Sequence, residues 1–170
     1  ELRDHIQAIL KQNSECVGFT FKRLNYFLGH CMRYGGWYHE SLHLFRRSAG
    51  RFVGKVHYAP QITGKIGHIQ ADVEHYPYQS LSQFIERQNR YTSVEAQEML
   101  DQQGVFNKQL VRYHLTWKPL KLFWKIYVKK KGFREGWHGL VFSMLYAWVH
   151  FLKWAKYWEL NAGRKDGQAS

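Results

Sequence analysis

The sequence is poor in the residues that build autonomous catalytic or metal centres. Two cysteines, Cys16 and Cys31, cannot make a disulfide framework or a four-cysteine zinc site. Three prolines and 14 glycines exclude a collagen-like or proline-rich chain. Aspartate occurs four times, at Asp4, Asp72, Asp101 and Asp166, and never as Asp-x-Asp. There is no Gly-x-x-x-x-Gly-Lys loop, no Gly-x-Gly-x-x-Gly, no His-Glu-x-x-His and no Gly-x-Ser-x-Gly. A self-sufficient nucleotide or zinc enzyme is therefore not expected. The chain opens Glu1-Leu2-Arg3-Asp4, without Met or an apolar run, so a signal peptide is not expected. It reads as though cut from inside a longer protein.

What is present is aromatic and basic. The 170 residues suit one domain, or a domain with a small annex. Seven Trp, 11 Tyr and 11 Phe within 45% hydrophobic residues are enough to bury a core, which a disordered chain could not do. The formal charge is +12. Residues 1–107 hold 12 Lys/Arg against 10 Asp/Glu, and residues 108–170 hold 13 against 3. The basicity thus belongs to the C-terminal part, where it would attract a phosphate-bearing partner.

The pattern along the chain predicts short strands followed by helices. Leu2, Ile6, Ile9 and Leu10 space a short amphipathic helix over residues 1–12. Val17, Phe19 and Phe21 alternate as a strand, and residues 25–34 read as a short helix or turn ending at Gly35-Gly36. Further strands are expected at 44–47, 52–57 and 69–76. Ser80 with Gln83, and Thr92 with Glu95, have the form of capping boxes, so two helices are expected, the second stopping near Gly104. Lys118, Lys121, Lys125 and Lys129 share one helix face, and Gly132 closes that helix. The stretch from Gly136 to Leu152 has no Asp, Glu, Lys or Arg, then Lys153, Trp154, Lys156, Tyr157 and Trp158 follow. It is short for a membrane span, and basic residues among Trp and Tyr suit a headgroup zone. Interfacial docking is the favoured reading; a buried helix and a true span are the others. Asn161 to Ser170 reads as a polar tail.

The densest polar-aromatic cluster is Tyr34-Gly35-Gly36-Trp37-Tyr38-His39-Glu40, followed by Leu44-Phe45-Arg46-Arg47. Trp37 and Tyr38 could stack on a sugar or base, Glu40 could act as a general base, and Arg46 or Arg47 could hold a phosphate or orient Glu40. The plain alternative is a surface turn with a half-buried Trp and a solvated charge pair. His57 and His75 stand at or near predicted strand ends, where an imidazole can ligate a divalent metal or simply be hydrogen-bonded.

A longer series carries a resemblance. It runs Arg23-Leu24-Asn25-Tyr26-Phe27-Leu28-Gly29, Gly35-Gly36-Trp37-Tyr38, Leu44-Phe45-Arg46-Arg47, Gly50-Arg51-Phe52-Val53-Gly54-Lys55-Val56-His57 and Gly64-Lys65-Ile66-Gly67. It continues through His75-Tyr76-Pro77-Tyr78-Gln79-Ser80-Leu81, Asn89-Arg90-Tyr91-Thr92, Gly132 to Leu140 and Lys153 to Glu159. In order and spacing this resembles family 2 glycosyltransferases of the lipopolysaccharide core type, the inverting beta-glucosyltransferases and their relatives.

The resemblance implies an α/β fold, the C-terminal part of a GT-A-like glycosyltransferase, with short strands followed by a helical, membrane-docking tail. Residues 1–107 would be the acceptor-side part, 108–160 the basic membrane-associating region and 161–170 a disordered tail. A nucleotide-binding half carrying Asp-x-Asp would precede them, so the fragment alone is expected to be inactive. The implied reaction moves a hexose from a nucleotide-sugar to a lipid-linked saccharide such as lipopolysaccharide core, with inversion. Glu40 falls at the acidic base, Arg46 or Arg47 near the following basic residue, and His75 or His57 at the histidine of the metal and diphosphate site. The implied cofactor is a divalent metal, Mg or Mn, with its principal ligands outside this chain. The implied partners are the nucleotide-sugar donor, the lipid-linked acceptor and an anionic membrane surface, at the cytoplasmic face of a bacterial inner membrane. Three departures stand out. His39-Glu40 replaces Pro-Asp, the Glu40–Leu44 stretch is one residue short with His43 near where Arg is usual, and Tyr58 replaces an acid after His57. Two other readings remain, a non-catalytic membrane-docking module and a basic nucleic-acid-binding module. No recognisable nucleic-acid motif supports the last.

Overall fold

The computed structural model describes residues 2–11, 15–53, 59–102 and 106–166. It is a mixed α/β structure built on one long strand, β1 (Gly18–Phe27). Helix α1 (Leu2–Lys11) precedes it. β1 turns at Leu28-Gly29 into the short β2 (His30–Cys31) and pairs antiparallel with β3 (His39–Phe45). On its other side it pairs in parallel with β6 (Ile66–Tyr78). Between them, β4 (Gly50–Val53) and β5 (Ala59–Ile62) form a separate antiparallel ribbon. The register sets Lys22 opposite both Glu40 and Asp72, and Asn25 beside His75.

Strand alternation then sorts the side chains. Phe21, Asn25 and Phe27 on β1, with Ile69 and Ala71 on β6, are buried on the inner face. Lys22 on β1, and His68, Gln70, Asp72 and Glu74 on β6, are exposed on the outer face. The inner face packs in two places. Near α1, Phe21, Ile69 and Ala71 meet Ile6 and Ile9. At the other end, Phe27 and Met32 meet Phe84, Ile126 and Phe142 from the helices. Phe27 lies edge-on to Phe84, Phe142 and Trp37, at centroid distances of 6.2, 5.5 and 6.4 Å. Burying such a ring stabilises by about 2–3 kcal/mol.

The helices follow from local chemistry. Helix α2 (Leu81–Gln102) begins at Ser80, whose Oγ accepts from Gln83 N, while Gln83 Oε1 accepts from Gln79 N. Helix α3 (Lys108–Leu115) is capped by Asn107 Oδ1, which accepts from Leu110 N. Pro119 lacks an N–H and its ring would meet the Leu115 carbonyl, so the chain breaks at Thr116 and restarts as α4 (Trp117–Trp124). A π turn, Lys125–Lys129, and a 3-10 turn, Gly132–Glu135, lead into α5 (Gly136–Asp166). Gly139 permits the closing approach: a Cβ there would collide with the Gly132 carbonyl. Helix α5 packs on α2 and α3 through Ala96, Leu100, Val111, Trp154 and Tyr157.

Four expectations change. Thr92 does not start a helix; it is buried in mid-α2 with Oγ1 donating to Gln88 O and Asn89 O. Residues 25–34 are not helical, since β1 runs to Phe27 and the hairpin to β2 follows. The strand expected at 44–47 starts earlier, at His39, and stops at Phe45, before a 3-10 turn at Arg47–Ala49. Helix α5 also continues through Asn161–Asp166. No helix among the described residues is long and apolar enough to cross a membrane. His57, Tyr58 and Gly104 lie outside the described residues.

Candidate active site

Glu40 stands on the outer face of the sheet at the start of β3. Its Oε1 forms an ion-pair contact with His68 Nδ1, reached across β1 from the far strand β6. A carboxylate only accepts, so Nδ1 of His68 carries the proton and points at Glu40. Thr20 lies between them, with Oγ1 3.4 Å from His68 Nδ1 and 3.4 Å from the Gly67 carbonyl. The Glu40 and His68 side chains are 45% and 42% exposed, so the carboxylate is oriented yet open to a ligand. Beside them is an open depression of about 540 Å³ lined by Lys22, Tyr38, His68, Ile69, Gln70, Ala71 and Asp72. Tyr38 Oη donates to Asp72, at 3.2 Å to Oδ2, and Lys22 Nζ lies 5.5 Å from the Tyr38 ring centre. Burial and the Asp72 hydrogen bond raise the Tyr38 hydroxyl pKa above its ordinary value, so it stays a neutral donor.

The approach to Glu40 is fixed from below. Gly35 and Gly36 both have positive φ, 79° and 81°, which a side chain would strain. Gly35 N donates to Lys130 O at 2.8 Å. The buried Glu135 accepts from Arg33 N and Tyr34 N, at 2.7 and 2.6 Å, and pairs with His30 Nε2 at 2.6 Å. Asn25, fully buried, donates to Trp37 O at 2.6 Å. The loop that delivers Tyr38 and Glu40 to the outer face is thus tied to the helices and to β1.

The sequence is similar to glycosyltransferases. It is 31% identical over 93 residues to an uncharacterized glycosyltransferase of Rickettsia felis, covering 55% of this chain and 31% of that protein. It is 29% identical over 99 residues to an uncharacterized glycosyltransferase of Rickettsia prowazekii, covering 58% of this chain and 32% of that protein. It is 27% identical over 170 residues to the lipopolysaccharide core biosynthesis glycosyltransferase LpsC of Rhizobium meliloti, covering 95% of this chain and 60% of that protein. The chain therefore spans between about a third and three fifths of these relatives. No family model and no solved structure matches.

The expected site residues separate. Tyr38 lines the outer-face depression, and Glu40 stands beside it, paired with His68. Trp37 packs into the core, its ring 4.7 Å from Phe142 and stacked on it, so it braces the loop beneath Tyr38. Arg46 and Arg47 are exposed just past the far end of β3, roughly 20 Å along the strand from Glu40. His75 is on the inner face, with Nδ1 2.8 Å from Asn25 Oδ1; the amide oxygen accepts, so Nε2 is its basic nitrogen. The described residues contain no group of three or more His, Cys, Asp or Glu placed to hold a metal ion. His68 was missed from sequence. The alternation of residues 66–78 places it with Gln70 and Asp72, but nothing local says which strand lies two places away.

Proposed function

We propose that this chain forms the acceptor-side part of a membrane-associated, inverting, family 2 glycosyltransferase with a GT-A-like fold. It moves a hexose from a nucleotide-sugar to a lipid-linked saccharide such as lipopolysaccharide core, at the cytoplasmic face of the inner membrane. The observation that carries this reading is the exposed Glu40–His68 pair beside an open polar depression that His68 lines. The likeness to LpsC over nearly the whole chain favours the lipopolysaccharide acceptor.

In this reading Glu40 takes the proton from the attacking hydroxyl of the acceptor. The new bond forms from that oxygen to the anomeric carbon, and the bond to the nucleotide diphosphate breaks on the opposite face, which inverts the centre. His68 holds Oε1 so that the carboxylate faces the depression. Tyr38 and Asp72 offer a donor and an acceptor to sugar hydroxyls. A divalent metal, Mg or Mn, would neutralise the diphosphate when bound. The described residues alone do not fit a metal centre, and no step here passes through His75 or His57. Arg46 and Arg47 serve in this reading as phosphate contacts away from the base.

The test is transfer of labelled hexose to a lipid-linked acceptor by the whole protein that contains this chain. Glu40→Gln should lower kcat by about 10²–10⁴-fold with donor binding retained, the usual range for a general base. Transfer by Glu40→Gln at the wild-type rate would remove Glu40 from the chemistry.

A further inference from the structure

Helix α5 buries one side and leaves the other without a partner among the described residues. Phe142, Ser143, Ala147, Trp154 and Tyr157 are buried against the body. On the opposite side Trp137, Met144, Phe151 and Trp158 are exposed, Trp137 by 76%. They are spaced seven apart, so they form one row that drifts only about 20° per seven residues and extends roughly 32 Å along the helix. On α4, which packs against α5, Trp117, Leu120 and Trp124 form a second exposed row, with Lys121 and Lys125 exposed beside it.

The charge around these rows is mainly positive. Between residues 102 and 160 there are eleven Lys/Arg and two carboxylates, Glu135 and Glu159. Glu135 is 8% exposed and engaged by His30 and two backbone N–H groups, and Glu159 is exposed beside Trp158. Apart from the two lysines held against α2, Lys153 at Glu95 and Lys156 at Asn89, Thr92 and Ser93, the cations lie on α3, α4 and the turns before α5. Large apolar rows flanked by so large an excess of cations match an anionic, oily partner. A second copy of this chain would bring the same cations together and be repelled. A bare polyanion would leave Met144 and Phe151 in water.

We propose that the outer row of α5 and the exposed row of α4 are an in-plane docking face for an anionic phospholipid bilayer. Trp137, Met144, Phe151 and Trp158 enter the interface, and Lys121, Lys125 and the Lys129-Lys130-Lys131 run meet the headgroups. This rests on the membrane part of the functional reading and on none of its transfer chemistry.

The test is co-sedimentation of the 170-residue chain with vesicles of phosphatidylcholine alone and with about a third phosphatidylglycerol. The wild type should bind the anionic vesicles about tenfold or more tightly than the neutral ones at low salt, and lose that preference as salt rises. Trp137→Ser with Trp158→Ser should weaken binding about tenfold or more with an unchanged circular dichroism spectrum, because both side chains are exposed. Lys121→Glu with Lys125→Glu should remove most of the anionic preference. Failure of the wild type to bind, or wild-type binding by both double variants, would overturn the proposal. So would a dimer in ultracentrifugation that Trp137→Ser/Trp158→Ser abolishes. Vesicle binding is read apart from transfer, so loss of transfer alone strikes Glu40 and not this face.

Discussion

Two carboxylate–histidine pairs sit in different regions of this molecule and do different work. At the junction of loop and helices, Glu135 is buried, and its oxygens are used by His30 and the backbone N–H groups of Arg33 and Tyr34. On the sheet face, Glu40 pairs with His68, and nearly half its surface is open. The chemistry of the pair is the same; burial decides the role. A buried, saturated carboxylate fixes geometry, and an exposed one with a single orienting partner can accept a proton from something else.

The comparison breaks first at Glu135. Glu135→Ala leaves two backbone donors and His30 without their acceptor, so stability should fall by about 3–5 kcal/mol in denaturant titration. Glu40→Ala should change stability by no more than about 0.5 kcal/mol in the same titration. Equal losses in the two variants would mean that burial does not separate the roles of the two pairs. Next comes His68. In the transfer reaction proposed for the whole protein that contains this chain, His68→Ala should lower kcat about tenfold with KM nearly unchanged, as expected for a residue that orients the proposed base. His68→Asn, whose amide can donate from near the Nδ1 position, should recover part of it, which a merely structural loss would not allow.

The smallest effect sharpens the contrast between the sheet and the helices. His114 Nδ1 lies 3.0 Å from His150 Nε2, and His114 stacks on Trp154 at 3.8 Å. Burial, then Lys153, His114 and Lys118, push the His150 pKa down to about 4, while Glu95 opposes them weakly. Burial, Lys118 and Lys153 also lower His114. Both rings are neutral when folded, and the unfolded chain protonates first as pH falls. Stability is therefore full above about 6.5, the ordinary histidine value, and is lost as pH falls toward about 4. The loss should be on the order of 1 kcal/mol after screening of a half-exposed ring is allowed for. Thermal melts of the wild type and of His150→Asn between those pH values would show it as a flatter profile in the variant.

Where one physical signal decided an element, the sequence made it legible. The alternation of Ile69 to Tyr76 marked β6, and Ser80 with Gln83 marked the start of α2. Thr92 with Glu95 has the same spacing, but a threonine can bond back to carbonyls inside a helix, and Thr92 does so. The Leu28 turn was hidden because a leucine at φ 50° gives no Asn-Gly signal. Glu40 was legible as an acid beside a glycine turn. Its partner was not, because β6 comes to lie on the far side of β1, and that order is set by packing rather than by neighbouring residues. Trp37 matched a sugar-stacking residue in type, and only the position of Phe142 assigns its face to the core.

The clamp at Glu135 also sets a ruler. Tyr34 is pinned by its backbone N–H, and Glu40 is pinned opposite Lys22, with only six residues of chain from one to the other. Strand side chains alternate, so one residue added or removed before β3 would turn Glu40 to the inner face and His39 to the outer one. Substitution of the exposed His39 should be tolerated, while a change of length should not. The number of residues in this span is therefore as much a part of the site as the carboxylate itself.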